Sequence, residues 1–278
     1  MPFRTLLSIA DEDMGDEDLM VTASLCEEIG AHLSALVLIM AAPPPIGQVA
    51  AMLSDDWMEE RQNDIARLTV RAEAISKLLS DMPVSADLVS EYPEEAGADE
   101  AIGRRARYVD LTVLGPDLLA RSRLRKKATE GVLFHSGKPL LLVPSGTKPT
   151  LAPKRVMVAW DASLEAVRAV REAVELLAGA DEVRVAIVDP VETGGGHGEE
   201  PGADIAAFLA RHGAKVAVDR LPSGDRGIAD VLTRHAADCA SDLFVMGAYG
   251  HSRLRQRILG GVTQSMLQEP PLPILMAR

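Results

Sequence analysis

The stretch Asp242–Thr263 reads DLFVMGAYGHSRLRQRILGGVT. Leu243 to Met246 is a short apolar run bounded by an acid and a glycine, the pattern of a strand buried on both faces. Gly247 closes it, Gly250 follows three residues later, and Gly260 and Gly261 come before Val262 and Thr263, which open a predicted helix. Glycines let backbone N–H groups come close to a ligand, and a helix start adds unpaired donors, so strand, glycine loop and helix in this order suit an anion such as phosphate. Such loops sit at the carboxyl ends of parallel strands, which makes the stretch a pointer to an α/β sheet.

The strand part recurs earlier in the chain. Asp110-Leu111-Thr112-Val113-Leu114-Gly115 parallels Asp242-Leu243-Phe244-Val245-Met246-Gly247. Arg4 to Asp11 parallels Lys154 to Asp161, each a basic residue, an apolar strand and an acid. Gly137-Lys138-Pro139-Leu140-Leu141-Leu142 parallels Pro271-Leu272-Pro273-Ile274-Leu275-Met276. These matches keep the same order in both halves, as an internal repeat does. The length of 278 residues suits two domains of about 140. The polar, proline-containing stretch 145–153 is the expected linker, giving domains 1–146 and 154–278.

Hydrophobic periodicity fills in the elements. In the first half, strands are predicted at Phe3–Ala10, His32–Met40, Ala86–Ser90, Leu111–Leu114 and Pro139–Val143. Helices are predicted at Glu17–Ile29, Asp55–Ser80 and Glu94–Tyr108, with a short helix after the basic run 121–127. Ile65, Leu68, Ala72, Ile75 and Leu79 share one face of the long helix. In the second half, strands are predicted at Arg155–Trp160, Glu182–Val188, Lys215–Leu221, Leu243–Met246 and Leu272–Met276, and helices at Ser163–Leu177, Ala203–His212 and Gly227–Ala240. Strands separated by helices pair in parallel through right-handed crossovers. The expected fold class is α/β, two repeated open parallel five-stranded sheets with helices on both faces.

Composition narrows the function. The formal net charge is -12, and aromatic residues make up 3% of the chain. An acidic surface repels phosphate backbones, and few rings are present to stack bases, so no nucleic-acid partner is expected. Apolar residues at 47% and charged residues at 25% are those of a packed globular protein. The longest mostly apolar stretch, Leu33 to Ala42, is about half of what a bilayer span needs, and no signal peptide is read at the start. A cytoplasmic protein is expected. Cys26 and Cys239, one in each half, are read as unpaired thiols. No two of the six histidines stand four residues apart and no cysteine pair accompanies them, so no structural metal is expected.

The glycine pattern resembles the nucleotide motif of the universal stress protein family: Gly, two residues, Gly, nine residues, Gly, then Ser or Thr. The likeness in element order covers both halves, and the motif occurs in the second half alone. Val156 to Ser163 is similar to the first strand of that family with its terminal Asp. The resemblance implies an ATP-type site in which Asp161 and Ala162 face ribose or adenine and Val188 contacts adenine. Met246, Gly247, Gly250, Gly260, Gly261, Val262 and Thr263 would then wrap ribose and phosphates, with Mg²⁺ accompanying the nucleotide. Gly261 stands where the family usually has Ser or Thr, which removes one hydroxyl donor. The resemblance also implies that the two halves pack as a pseudo-dimer near Pro139–Val143 and Leu272–Met276, and a further homodimer is compatible with it.

In the first half, Leu118 replaces the second glycine. One register then places Glu130 and Gly131 at the glycine pair and Leu133 at the Thr; the other places Lys126 and Lys127 there and Thr129 at the Thr. Neither keeps both glycines, and the first half is read as a copy that has lost the site. Asp11 keeps the acid at the strand end, among many neighbouring acids. Arg121, Arg123, Arg125, Lys126 and Lys127 read as a solvated face or as a contact for an anionic partner. Arg253, Arg255 and Arg257 read as a solvated face or as cover for phosphates.

The chain has neither a Gly-x-x-x-x-Gly-Lys-Ser/Thr loop nor a Gly-x-Ser-x-Gly elbow. Gly194 to Gly198 reads as a connection, and no general base stands out beside the glycine motif. The expectation is a stress-response or signalling protein that binds adenine nucleotide with little or no turnover and is not an enzyme in the ordinary sense. The alternative is an interaction scaffold that no longer binds nucleotide.

Overall fold

The computed structural model describes residues 3–44, 54–190, 200–250 and 261–278. They cluster into two compact units, residues 3–136 and 137–278. Both are α/β.

The N-terminal unit holds β1 (Thr5–Ala10), α1 (Glu17–Ile29), β2 (His32–Leu38), α2 (Ser54–Ser80), β3 (Ala86–Glu91), α3 (Ala98–Ala106), β4 (Leu111–Leu114), α4 (Pro116–Ala120) and α5 (Ser122–His135). Its strands run in the order β3-β2-β1-β4, each pair parallel. Leu6, Leu7, Ile9, Leu33, Leu36 and Leu111 are almost wholly buried, as a sheet covered by helices requires. Helix α1 stops where Gly30 takes the left-handed conformation (φ 70°), and the N–H groups of Gly30 and Ala31 both return to the Cys26 carbonyl. The expected helix 94–108 is shortened, with one 3₁₀ turn at Glu95–Gly97 before α3. The basic run belongs to a longer helix than the sequence suggested, the fourteen-residue α5.

The C-terminal unit holds β5 (Leu140–Leu142), β6 (Arg155–Ala159), α6 (Leu164–Glu172), α7 (Val174–Gly179), β7 (Glu182–Val188), α8 (Ala203–Arg211), β8 (Val216–Leu221), α9 (Ile228–Asp238), β9 (Leu243–Gly247), α10 (Val262–Gln268) and β10 (Ile274–Ala277). The order within it is β5-β10-β9-β6-β7-β8. All neighbours are parallel except β5, which pairs antiparallel with β10 through Leu142↔Ile274 and Leu140↔Met276. The sequence placed segment 137–146 in the first domain; in the structure its strand is bonded to the last strand of the C-terminal unit. The single helix expected over 163–177 is two, α6 and α7, meeting at Ala173.

One device recurs in both units. Asp110, just before β4, accepts the backbone N–H groups of Arg4 (2.8 Å) and Thr5 (3.1 Å) at the start of β1. Asp242, just before β9, accepts those of Lys154 and Arg155, both at 3.0 Å, at the start of β6. Each carboxylate satisfies two donors that begin a central strand and so fixes the register of that strand against its neighbour.

Helices α3 and α5 cross closely because two glycines face each other. A Cβ on Gly131 would meet the Asp99 carbonyl at 2.5 Å, and one on Gly103 would meet the Gly131 carbonyl at 2.8 Å. The Gly131 of the first register is therefore a packing residue inside a helix. Gly131→Ala is expected to cost about 1–3 kcal/mol through forced separation of α3 and α5, measured by urea unfolding; an unchanged midpoint would contradict the packing reading.

Candidate functional site

In an open parallel sheet the usual crevice lies at the carboxyl ends of the strands where the order of winding reverses. In the C-terminal unit that point falls between β6 and β9, and a cavity of about 250 Å³ lies there. Its floor follows from strand register. Ala186, Ala159 and Met246 are register partners across β7, β6 and β9, so they point to one face in one row. Two of the three are alanines, and the missing side-chain volume contributes to the hollow. Val188 lies two residues beyond Ala186 on the same face. Ile228 and Leu232, one helical turn apart on α9, close the apolar side.

The polar side is built at the start of α6. Asp161 follows Trp160 at the end of β6 and accepts the Ser163 N–H at 3.0 Å. Ala162 between them holds a left-handed conformation (φ 58°). Ser163 is the N-cap of α6; its hydroxyl accepts the Ala166 N–H at 3.1 Å. Across from this turn stand Gly247, Gly250, Gly261, Val262 and Thr263.

Two residues of the glycine motif have structural tasks that spacing alone did not show. A Cβ on Gly247 would lie 2.5 Å from the Ala166 nitrogen and 2.6 Å from the Glu165 carbonyl carbon, so only glycine allows β9 to end against the first turn of α6. Thr263 is buried, and its hydroxyl accepts the Tyr249 N–H at 3.2 Å, which ties the turn after β9 to α10. Tyr249 itself is left-handed (φ 61°). Gly250 is exposed, and a Cβ there would meet the Ser163 hydroxyl and a Glu165 carboxylate oxygen at 3.2 Å, so added bulk would press on the N-cap turn first.

Of the residues singled out from the sequence, Asp161, Val188, Met246, Gly247, Gly250, Gly261, Val262 and Thr263 border one cavity. Ala162 is beside it in the turn and does not line it. Gly260, Arg253, Arg255 and Arg257 lie outside the described residues. The sequence reading passed over Ala159, Trp160, Ser163, Ala186, Ile228 and Leu232. Strand register would have found Ala159 and Ala186, because both share a row with Met246.

The corresponding place in the N-terminal unit is built differently. A Cβ on Gly115 would lie 2.3 Å from a carboxylate oxygen of Asp18, the second residue of α1, as Glu165 is the second residue of α6. The Asp18 carboxylate turns inward, is 2% exposed, and accepts the N–H groups of Asp117 and Leu118, both at 2.9 Å. The chain's own anion thus occupies the donors that open α4, and Leu118 is fully buried beside it. The basic run is also engaged within this unit. Arg121 and Arg125 donate to the carbonyls of Asp13 and Leu119, while Arg123 and Lys127 pair with Glu95 and Asp99.

Burial pushes the Asp18 carboxyl up to about 6, against the downward pull of the two backbone N–H groups. The folded value exceeds the ordinary 3.8, so the stability tied to this group is complete below pH 3.8 and is lost as pH rises through about 6. The Asp18 Cγ carbon shift is expected to titrate near 6; a midpoint at the ordinary carboxylate value would contradict the buried geometry. Gly247→Ala is expected to lower stability by roughly 2–4 kcal/mol, because backbone on both sides of the contact must move. Urea unfolding measures this, and a cost within error of zero would show that the close approach is not required.

Comparisons with known proteins agree with this architecture. The profile of the Universal stress protein family matches residues 153–278. Universal stress protein Slr1230 of Synechocystis sp. (strain ATCC 27184 / PCC 6803 / Kazusa) is 39% identical over 49 residues, which spans 18% of this chain and 17% of that protein. Among solved structures, a universal stress protein from Archaeoglobus fulgidus DSM 4304 superposes with a TM-score of 0.58 at 18% identity, covering 98% of this chain and 96% of that one. A candidate universal stress protein from Pseudomonas aeruginosa UCBPP-PA14 gives 0.55 at 16% identity, covering 99% and 93%. At these identities the structural likeness speaks for the fold. The likeness to the universal stress protein family is carried by residues 153–278.

Proposed function

We propose that the cavity at the ends of β6, β7 and β9 binds an adenine nucleotide, ATP in the first instance, and that the protein works as a cytoplasmic stress-response binding or signalling protein with little or no turnover. The observation that carries this reading is the two-sided lining. Ala159, Ala186, Val188, Met246, Ile228 and Leu232 offer an apolar slot fit for a flat base. Asp161, Ser163 and the backbone of Gly250 and Gly261 offer the polar rim that a ribose and its phosphates need. The volume of about 250 Å³ is slightly below the roughly 300–1,000 Å³ of ligand pockets in general, and it suits the nucleoside part with the phosphates leaving toward the glycine side. Mg²⁺ would arrive with the phosphates. Among the described residues no helix is long and apolar enough to cross a membrane.

In this reading the chain is a tandem pair. Residues 1–146 are a degenerate copy whose site is filled by Asp18 and Leu118, and residues 154–278 are the binding copy. The two copies form a pseudo-dimer within one chain, and a homodimer of chains is compatible with it. Binding would act by linkage: a ligand held by one conformation stabilises that conformation. The scaffold reading draws its support from Gly261 in place of a hydroxyl residue.

At a ligand concentration a hundred times its Kd, binding adds about 2.7 kcal/mol, which corresponds to a rise in Tm of roughly 5–10 °C for a domain of this size. Mg-ATP is expected to produce that rise, and single-turnover incubation is expected to leave the nucleotide intact. Val188→Trp puts an indole into the slot from a half-buried strand end. It is expected to weaken ATP binding by roughly tenfold or more, about 1.4 kcal/mol, while the protein alone melts within a few degrees of wild type. Calorimetric titration reads both. No shift with millimolar Mg-ATP, or equal affinity in the variant, favours the scaffold.

A further inference from the structure

The C-terminal unit contains a second cluster of reactive side chains that nucleotide binding does not use. Asp219 lies on β8, and His235 and Cys239 lie four residues apart at the end of α9, with Cys239 as its C-cap. His235 Nε2 is 2.8 Å from a carboxylate oxygen of Asp219 and 3.6 Å from the Cys239 sulfur. One oxygen, one nitrogen and one sulfur lie within 4.8 Å of one another. All three residues are partly buried, with His235 at 17% and Asp219 at 20% side-chain exposure, so the group is held by the fold and open to solvent.

We propose that Asp219, His235 and Cys239 form a binding site for a thiophilic divalent transition metal, zinc in the first instance, with water as the fourth ligand. The argument begins with the ring nitrogen. A hydrogen-bonded His–Asp pair accounts for the 2.8 Å contact. The four-residue helical spacing brings the thiol beside the ring, 3.6 Å from Nε2 and 4.0 Å from Nδ1, so a small turn of the Cys239 side chain lets one cation reach all three donor atoms. Tetrahedral zinc with bonds of about 2.0 Å to nitrogen and about 2.3 Å to sulfur sets those two ligands about 3.5 Å apart, and the observed separation is 3.6 Å. The oxygen, now at hydrogen-bond distance, would need to open by a few tenths of an ångström, which carboxylate rotation supplies.

The surroundings fit a cation despite one arginine. Arg184 Nη1 lies 3.1 Å from both Asp219 oxygens, while its Nε donates to Glu182 at 2.8 Å. Its charge is therefore already shared between two carboxylates, and it orients Asp219 as an outer partner orients a metal ligand. Burial is the largest influence holding the Cys239 thiol above its ordinary value; Arg184 opposes it, and Asp219, Glu182 and Asp238 add to it. A divalent cation replaces the thiol proton and reverses that balance. The count of histidine pairs in the sequence missed this site because its helical pair mixes two residue types, His235 and Cys239.

The test uses the full chain, reduced and free of nucleotide, titrated with Co²⁺ under anaerobic conditions. The expected result is a thiolate-to-cobalt charge-transfer band that saturates at one equivalent and is abolished by Zn²⁺. Cys239→Ala should remove the band, and His235→Ala should weaken cobalt binding by roughly tenfold or more. Cys26, wholly buried in the other compact unit, remains in both variants as an internal control. A second readout needs no variant: Zn²⁺ should slow alkylation of Cys239 by iodoacetamide by a similar factor, followed by peptide mass mapping. Absence of the band in folded wild-type protein, an undiminished band in Cys239→Ala, or alkylation indifferent to zinc would each overturn the proposal.

Discussion

The site rests on an approach of backbone to backbone. Where β9 ends, Gly247 lies so close to the first turn of α6 that any side chain would strike the Ala166 nitrogen. That approach brings two tight turns together, Asp161–Ser163 on one side and Ala248–Gly250 on the other. Each is then pinned by a short polar contact, Ser163 by Asp161 and Tyr249 by Thr263. With both turns fixed, the row Ala186–Ala159–Met246 is left uncovered at its end, and the cavity is the space that results.

The N-terminal unit makes the same approach and reaches another outcome. Gly115 meets the first turn of α1 as Gly247 meets that of α6. There, however, the second helical residue is Asp18, short enough to fold inward and bind the N–H groups of Asp117 and Leu118. At the equivalent position of α6, Glu165 is longer, and its carboxylate lies toward the exposed Gly250. One carboxylate placed inward occupies the N–H donors that a ligand would otherwise take, and the two hydrogen bonds offset only part of its desolvation.

Much of this was legible in the sequence. The bounds of α1, β4 and β7 agree with those read from periodicity, because each is a strongly patterned segment with a clear stop such as Gly30. The aspartates before β4 and β9 marked the repeat, though their shared task of holding the N–H groups of a neighbouring strand is a long-range contact that no local pattern displays. The antiparallel register of β5 with β10 is likewise long-range; the family resemblance pointed to these two segments, and no local pattern did. In the site, spacing found the glycines but did not show that Gly247 also serves packing or that Thr263 also braces a turn. The apolar slot depends on register between strands far apart in sequence, so Ala159 and Ala186 carried no signal of their own. The Asp219–His235–Cys239 cluster joins a strand to a helix, and only half of it, the four-residue spacing on α9, is written locally.

The most direct measurement is a methyl-resolved NMR titration of the whole chain with Mg-ATP. The account predicts saturable shifts at Val188, Ile228, Leu232 and Met246, with Leu118 and Leu119 of the N-terminal unit unmoved. A spectrum without saturable change, or one in which the residues beside Asp18 respond while Val188 and Met246 do not, would contradict it.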